Sequence, residues 1–591
     1  ALGLPLVDGR ICGVGIILGE APDSLSAKNL IRELQTKHIL SFLVGGFKEQ
    51  LDKENVVLGL ESYIVPLGKR ESSLVYAADF IGRTALSFGG LKRGNSSAIF
   101  KHIKERIPAF TLALGALSEE KISYLAGLIR LGIPVITDQN VETIIDSEAT
   151  LHEALVVERD YGNIGSKAIQ TRGIKIKIEK IDIPVNYSPA FEGERIRKEM
   201  MFCEFGGKKS IAFEFLKTKN LEEIKDGEIE ILGLDLDQME EKNSYPLAIW
   251  VEVAGRKMQE DFEPVLERQI HRFLNYAQGV AHLGQRDAIW LRVSKEAKEL
   301  GLSLRDFGKI LHAKFHDEYS NIVDKVKVKI VTAEDEVKEL LLEAGKAYKR
   351  RDEKLLNLKD EDVPEFYSCL LCSSFAPNHA CVITPQRSGL CGAISFLDAK
   401  TAYELLPTGG NRPIEKKGLL DAKKGEWGGV NEFIYQASHQ TIKRLCLYSL
   451  IQNPMTSCGC FECIVAVVPE ANGVMIVNRE YSGMTPVGMK FSTLAGMTGG
   501  GQQTPGFMGI SRRYITSEKF IKAEGGLKRV VWMPKELKEK IAPDFQKRAE
   551  ELGIDNFLDK IADETIAVEI SQLLDFLKSV QHPALTLEPI M

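Results

Sequence analysis

The uneven distribution of cysteine constrains this chain more than any other feature of its sequence. Eight of the ten cysteines lie between residues 369 and 463, and the first 368 residues contain only Cys12 and Cys203. Disulfide frameworks are typical of small secreted domains, and a chain of 591 residues is not small. Cysteines clustered in this way indicate metal binding or redox chemistry, and metal binding is the first hypothesis for this part of the chain.

The first cysteine group has four members, Cys369, Cys372, Cys381 and Cys391. Their spacing is C-x2-C-x8-C-x9-C, in a segment that contains Pro377, Pro385 and Gly389 and can therefore bend around one centre. Four such cysteines bind either a structural zinc ion or a 4Fe–4S cluster. Zinc sites usually pair two C-x2-C units, whereas the last two cysteines here are widely spread. The spacing favours the iron–sulfur cluster, with zinc and redox-active thiols as alternatives.

The second group is the tripeptide Cys458-Gly459-Cys460, which Cys463 follows. Such a unit can offer two thiolates and two backbone nitrogens in one plane, and glycine, which has no Cβ, permits the backbone conformation that this requires. Mixed nitrogen and sulfur ligands in a plane suit Ni(II) or Cu(II) rather than tetrahedral zinc. An isolated Cys-Gly-Cys is more often a tight turn with buried thiols. The four cysteines earlier in the chain favour the metal interpretation.

Both cysteine segments closely resemble the active-site segments of the acetyl-CoA synthase family, the nickel subunits of the carbon monoxide dehydrogenase/acetyl-CoA synthase system. The first segment is SCLLCSSFAPNHACVITPQRSGLCG, from Ser368, and the second is MTSCGCFECI, from Met455. The glycine-rich segment Met497–Gly509 also looks like that family. The resemblance extends over the whole chain in the order of its domains.

The resemblance implies an acyltransferase that makes acetyl-CoA from carbon monoxide, coenzyme A and a methyl group donated by a corrinoid iron–sulfur protein. It also implies carbon monoxide dehydrogenase as a partner, and a 4Fe–4S cluster with two nickel ions as cofactors. The cluster ligands would be the four cysteines of the first group, Cys369, Cys372, Cys381 and Cys391. No spacing in the sequence singles out residues that contact coenzyme A.

The same resemblance implies ligands for the two nickel ions. Cys458 and Cys460, with the backbone nitrogens of Gly459 and Cys460, would hold the distal nickel. The proximal nickel would be bridged to the distal one by the same two sulfurs, and to the cluster by Cys372. Phe375 matches the aromatic residue that lies over the proximal nickel in the family and restricts access to it.

Two other classes of protein remain as alternatives. A non-catalytic iron–sulfur protein, serving electron transfer or as a scaffold, would explain the first cysteine group but would leave Cys458-Gly459-Cys460 without a role. A zinc-stabilised binding protein would leave the context of Phe375 and the order of the domains unexplained.

The sequence differs from the family pattern in one respect, the segment before the first domain. Bacterial members of the family carry a helical segment before the first domain, which docks onto carbon monoxide dehydrogenase, and archaeal members are shorter and lack the first domain. The sequence begins between these two arrangements. It is therefore interpreted as a bacterial-type enzyme without the docking segment, and we expect its association with the dehydrogenase to be weak.

The pattern of strands and helices predicts an α/β multi-domain fold. In residues 1–173, short apolar runs such as Ile39–Val44 alternate with helical stretches, which is typical of a Rossmann-like parallel-sheet domain. Residues 174–341 mix strand patterns with helical ones, such as 304–318, and predict a middle α+β domain. Residues 342–591 are predicted to form a C-terminal α+β domain that holds the nickel and iron–sulfur centre.

Two segments mark the borders between these domains. Residues 174–183 alternate apolar and polar side chains with a period of two, which predicts a half-buried strand at the start of the middle domain. The charged stretch 334–359 predicts a helix that connects the middle domain to the last one.

Composition excludes several classes of function. The 76 basic and 82 acidic residues give a formal net charge of −6, which provides no general attraction to nucleic acid or to anionic membranes. The longest apolar runs, such as 39–44 and 464–468, are far shorter than the roughly 20 residues of a membrane-spanning helix. We therefore predict a cytoplasmic protein with no nucleic-acid or membrane partner.

Overall fold

The computed structural model describes most of the chain, namely residues 11–59, 62–68, 108–130, 132–140, 154–174, 181–192, 194–207, 209–372, 376, 378–407 and 409–591. These residues form two compact units. The first contains the chain up to Arg195 together with Asn275–Gly279, and the second contains Ile196–Leu274 and Val280–Met591.

The first unit contains one six-stranded sheet in which every pair of neighbouring strands is parallel. Its strands in chain order are Gly13–Gly19, Ile39–Val44, Ile64–Gly68, Ala109–Leu114, Val135–Thr137 and Leu155–Val157. Their order across the sheet is 3-2-1-4-5-6, which is the doubly wound order of a Rossmann fold. The helices that the structure describes in this unit are Ser24–Thr36, Phe47–Lys53, Glu119–Arg130 and Ile164–Arg172.

The first strand shows how the sequence builds this sheet. Ile17 belongs to the hydrophobic core on one face of the sheet, while its neighbours Ile16 and Leu18 belong to the core on the other face. Side chains alternate along a strand, so a strand that packs against helices on both faces must be apolar at every position. The continuous apolar run Ile39–Val44 is buried throughout for the same reason.

The second unit begins with two four-stranded sheets of mixed direction. The strands of one sheet, in spatial order, are Ser244–Tyr245, Met201–Gly206, Ala288–Ser294 and Val280–Gln285. Those of the other are Ala212–Thr218, Leu247–Ala254, Lys325–Val331 and Ile229–Leu232. The α-helices of this region are Glu263–Asn275, Lys295–Glu299, Leu304–Glu318 and Glu334–Glu353. The predicted strand at 174–183 falls mainly on residues 175–180, outside the described residues.

The predicted helix in the charged stretch is Glu334–Glu353, and it packs onto the second of these sheets. Its role as the connection between the middle and last domains stays a prediction. Val337, Ala344 and Tyr348 are buried along one face of the helix and join the core that Phe215 helps to form. Tyr348 also donates a hydrogen bond to the carbonyl of Glu214. Apolar residues seven and four positions apart lie on one face of a helix, so the many surrounding charges point outward.

The rest of the second unit contains three smaller sheets. Their strands are Glu365–Cys369, Cys381–Ile383 and Pro413–Glu415; Leu419–Asp421 and Glu426–Trp427; and Cys463–Val468, Gly473–Asn478, Phe507–Ile510 and Val530–Trp532. The α-helices are Phe396–Leu405, Gly428–Ala437, Phe491–Thr498, Arg512–Ile515, Lys535–Glu551 and Ile570–Ser579. One large hydrophobic core includes residues of all three sheets and the buried cysteines of both groups.

The predicted α/β multi-domain fold is confirmed by these parallel and mixed sheets with their helices. The division into 1–173, 174–341 and 342–591 stays a prediction. In the part of the chain that the structure describes, no helix is both long enough and apolar enough to cross a bilayer.

Candidate metal centre

Three of the predicted cysteine ligands converge on one point in the second unit. The Sγ atoms of Cys372, Cys458 and Cys460 all lie within 4.8 Å of one another. The three residues are only 7%, 5% and 1% exposed, and none of them forms a disulfide. Three unbonded sulfurs at such short range provide a set of soft ligands that one metal ion could share.

The loop that carries Cys458-Gly459-Cys460 leads into the strand Cys463–Val468 and is held from two sides. The Arg479 guanidinium donates hydrogen bonds to the carbonyls of Gly459 and Phe461, each at 2.8 Å. The Cys460 amide points at the Cys458 sulfur at 3.4 Å. Tertiary contacts therefore fix the backbone on both sides of Cys460 and direct its nitrogen toward the neighbouring thiol.

The glycine-rich segment Met497–Gly509 also contacts the cysteine loop, through hydrogen bonds to Ser457. The amide of Gly501 donates to the carbonyl of Ser457, and the amide of Gly509 donates to the Ser457 hydroxyl, both at 2.9 Å. A Cβ at Gly509 would lie 2.6 Å from the Phe461 ring, so this close approach requires glycine. The segment thus packs directly against the cysteine loop.

The other three cysteines of the first group surround this point without joining the set of mutually close sulfurs. Cys369 and Cys381 are directly opposite each other at the ends of two antiparallel strands, and Cys391 follows the turn at Gly389. All three are buried. The Glu462 amide donates to the Leu390 carbonyl at 3.0 Å, which ties this turn to the segment that follows Cys460. A four-iron cluster is larger than one ion, so its ligands need this wider arrangement.

The three converging thiols affect one another's protonation. The pKa of Cys372 is raised well above its usual range by hydrogen bonds with Cys458 and Cys460 and by burial. A hydrogen bond with Cys372 lowers the pKa of Cys458, but a hydrogen bond with Cys460 and burial raise it to about 12 overall. The pKa of Cys460 is lowered, because its sulfur accepts hydrogen bonds from the other two thiols. One thiolate is stable here without metal, and a bound cation would displace the remaining protons.

Arg268 places a buried positive charge beside these sulfurs. It is 2% exposed, and one terminal nitrogen lies 3.5 Å from Cys372 Sγ. Among the described residues it has no carboxylate partner, and its Nε has no hydrogen-bond partner. Burial would lower the pKa of Arg268, but the charges of the cysteines, led by Cys391 and Cys372, raise it. A buried guanidinium needs a counter-charge, and among the described residues the cysteine thiolates supply it.

Two buried histidines also border the site. His271 hydrogen-bonds to Cys460, and burial lowers the pKa of this histidine to about 4. His379 lies between two cysteines of the first group in sequence, and its Nδ1 is 2.8 Å from the Thr456 hydroxyl. Burial lowers its pKa to about 4 as well. Both rings are therefore neutral at pH 7, and they act as hydrogen-bonding groups around the sulfurs.

Arg268 and His271 escape sequence analysis because their roles depend on tertiary packing. Both lie on the helix Glu263–Asn275, one turn apart, where Glu267 and Gln269 are buried as well. The polar sequence of this helix is typical of an exposed surface, so it does not indicate that these side chains are buried beside the cysteines.

The two remaining predicted site residues are Phe375 and Gly459. Phe375 belongs to residues 373–375 and lies outside the described residues. Gly459 is not in the left-handed region of backbone space, and a Cβ added there would meet no atom within 4 Å. The conformation that glycine permits in a metal-bound tripeptide stays a prediction.

A buried site lined by cysteines that form no disulfide, in a chain with a doubly wound domain, defines a class, the cysteine-ligated metalloproteins. Comparison with known proteins narrows this class. Residues 183–337 match the family model described as "CO dehydrogenase/acetyl-CoA synthase complex beta subunit". Residues 348–591 match a second model, which describes the C-terminal part of the "ACS/CODH beta subunit".

Individual relatives indicate the same family as these two models. The "Carbon monoxide dehydrogenase/acetyl-CoA synthase subunit alpha" of Moorella thermoacetica is 48% identical over 590 residues, covering 100% of this chain and 80% of the relative. The "Acetyl-CoA decarbonylase/synthase complex subunit beta 1" of Methanocaldococcus jannaschii is 42% identical over 582 residues, covering 98% and 75%. The corresponding beta subunit of Methanopyrus kandleri is 48% identical over 402 residues, covering 68% and 84%. The chain belongs to the carbon monoxide dehydrogenase/acetyl-CoA synthase family.

One expectation about the family needs correction. The relative from the archaeon Methanocaldococcus jannaschii aligns with 98% of this chain, which includes the doubly wound unit. Archaeal members of the family therefore do not all lack the first domain.

Proposed function

We propose that this chain is the acetyl-CoA synthase of its organism, an acyltransferase that joins a methyl group, carbon monoxide and coenzyme A. Family membership supports an enzyme of this system, and the relatives' names include acetyl-CoA synthase. The observation that carries the proposal is the convergence of Cys372 from the first cysteine group with Cys458 and Cys460 from the second. An iron–sulfur protein without nickel has no use for that convergence.

The donor set fits the metals that this function requires. We propose that Cys369, Cys372, Cys381 and Cys391 hold a 4Fe–4S cluster, since four buried cysteines with no disulfide partner match its ligands. When bound, thiolate-ligated nickel would supply an electron-rich centre with an open position for carbon monoxide and a methyl group.

The nickel ligands are proposed from the same convergence. The sulfurs of Cys372, Cys458 and Cys460 would hold the proximal ion. Cys458 and Cys460, with the amide nitrogens of Gly459 and Cys460, would hold the distal ion. The position of the Cys460 amide, 3.4 Å from the Cys458 sulfur, supports such a chelate. Phe375 is proposed to limit access to the proximal ion.

Residues around the sulfurs would keep this centre dry and electrically balanced. Burial of all six cysteines excludes water, which strengthens every charge interaction inside the site. Arg268 offsets part of the thiolate charge, and His271 provides a hydrogen bond to Cys460. Arg479 keeps the cysteine loop in place through its two backbone contacts.

The remaining expectations are part of the same proposal. The corrinoid iron–sulfur protein would donate the methyl group, carbon monoxide dehydrogenase would be a partner, and the protein would act in the cytoplasm. The three domains would be 1–173, 174–341 and 342–591, with the metal centre in the last one.

Activity of matched cysteine variants tests this proposal. The purified chain, reconstituted with iron, sulfide and nickel, is incubated with carbon monoxide, coenzyme A and a methylated corrinoid donor, and acetyl-CoA is measured. We expect synthesis by the unmodified chain, and by a Cys446→Ser variant, because Cys446 is a buried free thiol outside the proposed ligand set. We expect none from Cys460→Ser. Equal activity of both variants would refute the ligand assignment, and a reconstituted chain without activity would refute the function.

A further inference from the structure

A second group of potential metal ligands lies on the surface of the second unit. One ligand atom each from Asp226, His312 and His316 lies within 4.8 Å of the other two. The Nε2 atoms of His312 and His316 are 3.2 and 2.9 Å from the same Asp226 oxygen, Oδ1. The side chains are 41%, 31% and 30% exposed, respectively, so solvent ions can reach this point.

The two histidines occupy a rigid platform. They are four residues apart on the helix Leu304–Glu318, which puts both rings on one face, and their ring centroids are 4.6 Å apart. Ser303 and Asp306 form a capping box at the start of this helix. Its other side is buried through four apolar residues, namely Phe307, Ile310, Leu311 and Phe315.

Asp226 is positioned by backbone contacts that do not involve the histidines. The Val326 amide donates to Asp226 Oδ1 at 2.9 Å, and the Gly227 amide donates back to the Val326 carbonyl at 3.0 Å. Gly227 has a φ of +75°, a left-handed conformation that suits glycine at the turn after the carboxylate. Lys325 also donates to the carbonyls of Leu221 and Ile224, which anchors the preceding loop.

The carboxylate is charged when it faces the two rings. Burial raises the pKa of Asp226, but hydrogen bonds from the Val326 amide and from His316 lower it below its usual range overall. An ionised carboxylate between two imidazoles is also the ligand arrangement that zinc and related ions bind in enzymes, with the remaining positions filled by water.

We propose that Asp226, His312 and His316 form a mononuclear site for a divalent first-row transition ion, separate from the cysteine centre and unrelated to its chemistry. Two imidazole nitrogens and one carboxylate oxygen suit Zn²⁺, Ni²⁺ or Co²⁺ and give a harder ligand set than the thiolates. In this arrangement each ring faces the carboxylate with Nε2, so the ion would replace the protons that these nitrogens share with Asp226 Oδ1. The ion would tie the loop at Asp226 to the helix.

Zinc titration of the full chain tests this site. The chain reconstituted with iron and nickel is dialysed against Zn²⁺, and bound zinc is measured together with its X-ray absorption spectrum. We expect about one zinc per chain with nitrogen and oxygen ligands only. Replacing His312 and His316 together by alanine should abolish it. Asp226→Asn, which keeps an acceptor for the Val326 amide, should weaken binding about tenfold or more.

Arg305→Ala provides the matched control, because Arg305 lies on the same helix but outside the cluster. This variant should bind zinc as the unmodified chain does, and every one of these variants should retain acetyl-CoA synthesis. The proposal is overturned if the double histidine variant binds as much zinc as the unmodified chain. It is equally overturned if all bound zinc has sulfur ligands.

Discussion

Replacing Arg268 by methionine tests the electrostatic balance of the cysteine site. Methionine approximates the length of the arginine side chain but removes its charge. Arg268 lies 3.5 Å from Cys372 Sγ and is 2% exposed, so its charge interacts with the thiolates through little water. At an effective dielectric constant of about 20, one such pair at this distance contributes about 5 kcal/mol before the cost of burying both charges.

The net loss of stability in Arg268→Met should be smaller than this Coulomb energy, and it should depend on whether metal is bound. Breaking a buried ion pair by removing one partner costs about 3–5 kcal/mol. In the metal-loaded protein the thiolates remain charged, so the variant incurs that cost in full. Without metal, most of the thiols can be protonated, so Arg268 has fewer negative charges to balance and its removal costs less. If this cost destabilises only the metal-loaded protein, the apparent metal affinity should decrease about 100-fold or more, since about 1.4 kcal/mol corresponds to a factor of ten.

Metal retention measures the loss of metal affinity, and denaturant unfolding measures the loss of stability with and without metal. Iron and nickel are determined after dialysis against a chelator, and denaturant unfolding is followed with and without metal. We expect Arg268→Met to lose metal and to be destabilised mainly in the loaded form, and Arg268→Lys to retain more metal. Arg272→Met is the control, because Arg272 lies one turn further along the helix and pairs with Glu318. If Arg268→Met retains metal as the control does, or is equally destabilised in both forms, Arg268 does not balance the thiolates.

Five further substitutions separate the roles of residues in and around the cysteine loop. Cys458→Ser or Cys460→Ser should abolish nickel binding but leave the visible absorbance of the iron–sulfur cluster largely intact, and a variant with its full nickel content would contradict the ligand assignment. Gly509→Ala should lower the free energy of unfolding by about 1–3 kcal/mol, because the added methyl group collides with Phe461. Gly459→Ala should fold with unchanged stability, since its methyl group points into open space; equal losses in a denaturant titration would show that the packing argument fails. Arg479→Ala removes two hydrogen bonds that hold the cysteine loop, so nickel should dissociate faster in a chelator competition while the iron content stays constant, and unchanged dissociation would show that the loop needs no such support.

Local pattern was sufficient to predict the regular elements. The apolar run at 39–44 and the helical pattern at 304–318 coincide with a strand and a helix of the same bounds. Both segments carry periodic signals that depend only on neighbouring residues.

The surroundings of the candidate site depend on contacts that sequence does not display. The cysteines could be proposed as ligands because iron–sulfur clusters are bound by cysteines at characteristic spacings. Arg268 contacts Cys372 across 104 positions of the chain, so no local pattern connects them. The support of the cysteine loop has no local signal for a related reason, because Arg479 and the glycine-rich segment contact its backbone from later parts of the chain.

Metal analysis of the purified, reconstituted chain and its Cys458→Ser/Cys460→Ser double variant tests the central claim most directly. The unmodified chain should contain about four irons per chain together with nickel, as expected for a 4Fe–4S cluster next to a nickel site. The double variant should keep its iron but lose its nickel. Iron without nickel in the unmodified chain would indicate an iron–sulfur protein, and zinc alone would indicate a structural site. Either result would contradict a nickel centre built on Cys372, Cys458 and Cys460.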